Sequence, residues 1–261
     1  MTWFDSMFGA TLRRRFPSQQ EDVPEIETWA RLVTRETPLP EVFERALIRL
    51  GHHDRDASYV IFQPADQWGS RCTAPRLVAW DGAHLDIIIQ RDTALDTQRF
   101  PVDSIETIQR GRILLYSWLK LDATVGGRQI TRIVEFNTVV ESVFNKLIDS
   151  VRKARAGIEH ASDYQVEPAR TLLSSANQQA RRLLAYARGS LLRGEQVISV
   201  HTCVEEGRPL RYGGRFRKRT YIPGPYVIVL TSHEVIEIHE DWRLPTQQKR
   251  YGAIWEFAPL S

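Results

Sequence analysis

The sequence predicts an α+β fold in which antiparallel strands build most of the core and a few helices cover it. Three observations point there. Two strand-like runs, Arg76 to Trp80 and His84 to Gln90, are joined through Asp81-Gly82, a pair that supplies the positive φ of a tight hairpin. Phe136, Val139, Val140, Val143, Phe144, Leu147, Ile148 and Val151 recur at three and four residues, the spacing of one buried helix face. A second helical stripe then leads into a second set of strands.

Taken in order, residues 1–56 read as an N-terminal helical and linker segment. Trp3 and Met7, and Phe4 and Phe8, stand four apart on one helix face and precede Arg13, Arg14 and Arg15. That pattern fits a membrane-surface foot, with a frayed or docked terminus as the competing reading. Pro17 to Pro24 reads as a linker. Helical signals resume from Pro24 to Leu50, with Val42, Phe43, Ala46, Leu47 and Leu50 as the stripe.

Residues 57–157 form the next unit. Strands run from Tyr59, through the Asp81-Gly82 hairpin, to Arg99–Val102 and Ile105–Ile108. A long strand from Ile113 to Ala123 turns at Val125-Gly126-Gly127 into Gln129–Phe136. The helix that follows is expected to lie across this sheet. Thr138 and Glu141 have the spacing of a capping box, and Arg152, Lys153 and Arg155 suit the negative end of its dipole. Residues 158–194 comprise a polar linker and a basic amphipathic helix opened by Pro168. Residues 195–261 return to strands at Gln196–Val204, around Phe216–Tyr221, at Tyr226–Leu230 and at Glu234–His239.

Composition narrows the function classes. The net charge of +3 over 261 residues gives no general case for nucleic acid. No window approaches the roughly 18 uninterrupted apolar residues of a membrane-spanning helix. Basic residues follow rather than precede the first apolar cluster, which argues against a secretory signal. Cys72 and Cys203 have no CxxC partner, so neither a disulfide framework nor a zinc site is expected. These features place the chain in the cytoplasm, with peripheral contact at the inner membrane face if the N-terminal foot is used.

The two strand regions are weakly self-similar. Leu77 to Leu85 answers to Ile228 to Val235, and Pro101 to Ile105 to Pro259-Leu260-Ser261, where the second copy stops. The strand meander, the Pro-hydrophobic-x-Ser step at Pro101, the run containing Leu114, Leu115 and Trp118, the strand ending Phe136-Asn137 and the single amphipathic helix resemble the bacterial pleckstrin-homology-like domains. The resemblance covers residues 57–157 as a whole unit and 195–261 as a partial second one. It implies an antiparallel β-sandwich or barrel capped by a C-terminal helix. It does not fix a function, because such domains bind lipids, peptides or nothing known. A partial copy also leaves an open sheet end for the basic helix or a partner to cover.

No catalytic motif is present: G-x-S-x-G, P-loop and G-x-G-x-x-G are all missing, and no cofactor is expected. His52-His53-Asp54 and the set His201, Cys203, His233, His239 lack the spacing of a metal site. Asp81 reads as a turn residue, and Asp86, Asp92 and Asp96 as ordinary polar positions on an edge or loop. The most suggestive surface is Arg211, Arg215, Arg217, Lys218 and Arg219, interleaved with Tyr212, Phe216 and Tyr221 beside Gly213-Gly214. Alternation turns Arg215, Arg217 and Arg219 to one face, where they suit phosphates or an acidic peptide; a solvated hairpin is the competing reading. The sequence thus predicts a non-enzymatic adaptor that meets a protein partner or an acidic ligand. The alternative is a hydrolase with its site between the two units.

Overall fold

The computed structural model describes residues 29–52, 59–68, 71–158, 181–203, 209–210, 220–221, 225–240 and 252–260. Its strands are β1 (Arg31–Leu32), β2 (Tyr59–Gln63), β3 (Asp66–Trp68), β4 (Arg71–Thr73), β5 (Arg76–Trp80), β6 (His84–Arg91), β7 (Ala94–Pro101), β8 (Ile105–Ile113), β9 (Tyr116–Val125) and β10 (Arg128–Asn137). β11 (Val197–Cys203), β12 (Pro209–Leu210), β13 (Thr220–Tyr221), β14 (Tyr226–Thr231), β15 (Glu234–His239) and β16 (Gly252–Pro259) follow. The described helices are α1 (Glu41–Arg49), α2 (Glu141–Arg155) and α3 (Arg181–Ser190).

Every pairing is antiparallel, so the α+β expectation holds. One sheet has the order β1-β2-β5-β6-β7 and the other β10-β9-β8-β16-β15-β14-β11. Between them lies the main core, where Ile61, Val78, Trp80, Ile87 and Phe100 meet Ile108, Leu119, Leu121, Val134 and Phe136. Helix α2 covers this core with Phe144, Leu147, Ile148 and Val151, and Phe144 stacks on Phe136 with ring centroids 3.8 Å apart. Successive strand residues point to opposite faces, so Val60, Phe62, Leu77, Ala79 and Ile88 form a second cluster on the other side of the first sheet. Phe43, Ala46 and Leu47 of α1 cover it, as their helical spacing predicted.

The weak repeat is physical. The hydroxyl of Thr231 accepts from the amides of His233 and Glu234, as the carboxylate of Asp81 accepts from those of Ala83 and His84. After each meander the amide of Val102 donates to Ala83, and that of Leu260 to His233. Each four-stranded meander, β2-β5-β6-β7 and β11-β14-β15-β16, carries a short two-stranded ribbon between its first two strands. The edge of the second meander at β16 is taken by β8, with Trp255 opposite Arg110 and Phe257 opposite Ile108. Leu183, Leu184 and Ala187 of α3 belong to the same core cluster as Val227, Val229, Ile236 and Ile238.

Several local expectations are corrected. Residues 31–32, read as part of a helical stretch, pair with β2, and 252–259, given no strand, form β16. Leu114 and Leu115 lie in the β8–β9 turn rather than in a strand; Leu114 has φ 53°, and both side chains are exposed. The capping box is absent: Asn137 accepts from the amide of Val139, a 3-10 turn spans Thr138–Val140, and Glu141 turns toward two arginines. Val139 is exposed, whereas Arg152 is buried rather than lying at a solvated helix end. No helix among the described residues is long and apolar enough to cross a membrane.

Candidate functional site

The seam where β8, β16, α2 and α3 meet concentrates cationic and aromatic side chains. Arg110 and Arg112 are two apart on β8 and therefore share a face with Ile108. The register sets Trp255 opposite Arg110, and the Arg110 guanidinium carbon lies 4.0 Å from the centre of the Trp255 ring. Glu141 and Asn145, four apart and so on one face of α2, reach the same place. Arg110 donates to Asn145 at 2.5 Å, and Arg112 donates to Glu141 and to the Tyr186 hydroxyl of α3, each at 3.1 Å.

The electrostatics of the seam are uneven. Burial lowers the pKa of Arg110 to about 10, partly offset by Glu141 and reinforced by Arg112, so it stays charged at neutral pH. Two positive charges face the one carboxylate of Glu141. Nε of Arg110 and Nε1 of Trp255 are buried donors with no acceptor among the described residues. The Arg112 side chain is 30% exposed and opens the cluster to solvent. Such a site suits an acidic group, since donors exceed acceptors and a planar guanidinium is backed by a ring.

Two other polar clusters satisfy most of their groups internally, although Nη1 of Arg155 in the first is a buried donor without an acceptor among the described residues and Arg99 in the second is partly exposed. In the first, Arg152 of α2 donates to Glu234 and to the Ser190 carbonyl, lies 3.9 Å from Glu195 and sits over the ring of Phe257. Arg155 donates to Glu234 at 3.2 Å. Burial raises the pKa of Glu195, and neighbouring Glu234 pushes the same way against donation from Thr231 and the Leu192 amide. A carboxylate pair with one raised pKa is a pattern that serves acid–base chemistry. Here, however, the Glu195 and Glu234 side chains are 0% and 4% exposed, and their oxygens are engaged by Arg152, Arg155 and Thr231.

The second cluster joins α1 to the first sheet. His52 lies 2.8 Å from Asp86, Arg99 donates to both Asp86 oxygens, and Arg99 also donates to the Leu50 carbonyl. Asp86 is therefore fully buried rather than an edge position. Asp81 is the turn residue its sequence implied, and Asp92 occupies a turn at φ 53°.

Among the described residues, no group of three or more His, Cys, Asp or Glu is placed to hold a metal ion. His201 lies on β11 and His233 in the β14–β15 turn, so these two do not share a strand. The proposed membrane foot (Trp3, Phe4, Met7, Phe8, Arg13, Arg14, Arg15) and the basic strip (Arg211, Arg215, Arg217, Lys218, Arg219) lie outside the described residues. Sequence reading missed Arg110, Arg112 and Trp255, because two arginines either side of a glycine in a largely polar strand signal only a solvated face. Their convergence depends on β16 pairing with β8, across 147 positions in the Gln109–Glu256 contact. Comparison with family models, curated proteins and solved structures found no match.

Proposed function

We propose that this chain is a non-enzymatic interaction protein with a pleckstrin-homology-like core, and that it recognises an acidic ligand. The fold reading is supported by the sequence β2-β5-β6-β7, then β8-β9-β10, then α2: a four-stranded meander, a three-stranded one and a helix over the opening. The observation that carries the functional reading is how the described charges are used. Arg152 and Arg155 are set on Glu234 beside Glu195, and Arg99 and His52 both contact Asp86, so the cations of these two clusters meet buried carboxylates. The Arg110–Arg112–Trp255 seam sets two arginines on the single carboxylate of Glu141 and keeps two buried donors without acceptors among the described residues, where the Arg152 cluster keeps one, Nη1 of Arg155. The basic strip at Arg215, Arg217 and Arg219 would add a second contact of the same chemistry.

Sedimentation of the full chain with vesicles tests this reading. Binding to vesicles containing phosphatidylserine should exceed binding to pure phosphatidylcholine and should weaken with salt and with added inorganic phosphate. Arg112→Ala should reduce it, and the triple change Arg215→Ala, Arg217→Ala, Arg219→Ala should reduce it further. Equal sedimentation with both vesicle types, together with no displacement by phosphate, refutes the acidic-ligand reading.

A further inference from the structure

The hairpins β6–β7, β8–β9 and β9–β10 each turn in two residues, Asp92-Thr93, Leu114-Leu115 and Gly126-Gly127. Their flanking pairs are Arg91 with Ala94, Ile113 with Tyr116 and Val125 with Arg128. In each, the first turn residue has positive φ: 53° at Asp92, 53° at Leu114 and 58° at Gly126. Such positions favour Gly, Asn and Asp, because a larger side chain crowds its own backbone there. Asp92 and Gly126 follow that rule. Leu114 breaks it and gains no burial in return, since Leu114 is 56% exposed and Leu115 67%. Neither leucine is explained by the stability of the fold.

A third apolar side chain stands beside this tip. The amide of Thr138 donates to the Leu115 carbonyl at 2.9 Å, which brings the 3-10 turn Thr138–Val140 against the hairpin, and Val139 in that turn is 54% exposed. The other exposed large apolar side chains among the described residues, Leu32, Ile48, Ile198 and Leu260, stand singly on β1, α1, β11 and the residue after β16. Single exposed residues need no explanation, whereas a group of three at a strained turn does. A cation adjoins the group: Arg112, its side chain 30% exposed, lies two residues before Leu114 and bonds Glu141, two residues after Val139.

We propose that this tip is an entry point into a membrane surface, at which Leu114, Leu115 and Val139 enter the headgroup layer while Arg112 meets headgroup phosphate and carboxylate. The inference rests on the acidic-ligand reading and adds the source of the acid, which is a lipid surface and not a soluble anion or an acidic protein. Shape favours lipid. A two-residue turn at the end of strands of nine and ten residues offers a point, whereas a peptide is held along a groove or a sheet edge. Chemistry agrees, because apolar contact and positive charge stand together and peripheral binding to an anionic surface combines two such weak signals.

Sedimentation of the full chain with phosphatidylserine–phosphatidylcholine vesicles, set beside urea unfolding, tests the tip. Leu114→Asn with Leu115→Ser should lower the partition coefficient about tenfold or more, as two leucines are withdrawn from lipid. The urea midpoint should stay or rise, because Asn suits a positive φ. Leu115→Ser alone, which leaves the strained position untouched, is the second variant should the pair fail to fold. Leu115→Cys in a Cys72→Ser, Cys203→Ser background, labelled with a nitrobenzoxadiazole dye, should brighten and shift to shorter wavelength on these vesicles. The same label at Gln129→Cys, exposed at the far end of β10, should not. Salt-sensitive vesicle binding that is equal in the parent and the folded leucine variant, without a dye shift, overturns the entry point and leaves the acidic-ligand reading in place. An equal dye shift on pure phosphatidylcholine keeps the entry point and overturns that reading. A chain that binds no vesicle while its tryptophan emission responds to inorganic phosphate overturns the entry point and assigns the seam to a soluble anion or an acidic protein.

Discussion

Gly111 has no side chain because Trp118 occupies its space: a Cβ there would lie 1.8 Å from the indole ring. Gly111→Ala should therefore cost about 1 to 3 kcal/mol through overpacking, read from the urea midpoint and from Trp fluorescence. An unchanged midpoint would mean that the indole can leave this position freely. Asp86 offers a test in pH. Burial pushes its carboxyl up, but hydrogen bonds and charge from His52 and Arg99 outweigh burial and hold it below the ordinary 3.8. A depressed folded pKa contributes stability above the unfolded value and loses it as pH falls through the folded one. Asp86→Asn should cost about 3 kcal/mol near neutrality, and the gap to the parent should narrow at about pH 3. A gap that widens in acid would contradict this assignment. Neither role was legible in the chain: Gly111 resembles any strand glycine, and Asp86 is an acidic residue in an otherwise apolar run whose partners lie 34 and 13 residues away.

At the scale of elements, the helix α2 was the most legible because its signal is local. Phe144 is buried and stacked, whereas Lys146 is exposed. Phe144→Ala should cost about 3 to 5 kcal/mol and Lys146→Ala less than about 0.5, measured by denaturant titration; comparable losses would put the helix on the wrong surface. The hairpins at Asp81-Gly82 and Gly126-Gly127 were equally readable, since all three glycines adopt positive φ. What failed was chemistry that depends on distant neighbours. Arg152 has the sequence position of a dipole-pairing residue, yet Glu234 and Ser190 draw it inward. Glu141 has the spacing of a capping box, but charge-assisted contacts with Arg110 and Arg112 outweigh a bond to its own backbone.

At the scale of the whole molecule, the sequence shows two similar strand blocks but not how they join. Such an edge pairing leaves no periodic trace in the chain, because its two strands are far apart in sequence. β8 pairs with β9 on one side and β16 on the other, while Arg152 and Arg155 tie α2 to Glu234 of the second meander. The two blocks should therefore unfold together, because separating them would open a β edge and strand buried charges without partners. Trp255 sits at the centre of this seam, 1% exposed, between Arg110 and Tyr186. Trp255→Ala should cost about 3 to 5 kcal/mol and should lower hydrogen-exchange protection in β5, β9 and β14 alike, within a single denaturant transition. If β14 and β15 instead lost protection while β5 and β6 kept theirs, or if two transitions were resolved, the blocks would be independent domains and the β8–β16 pairing a loose contact between them.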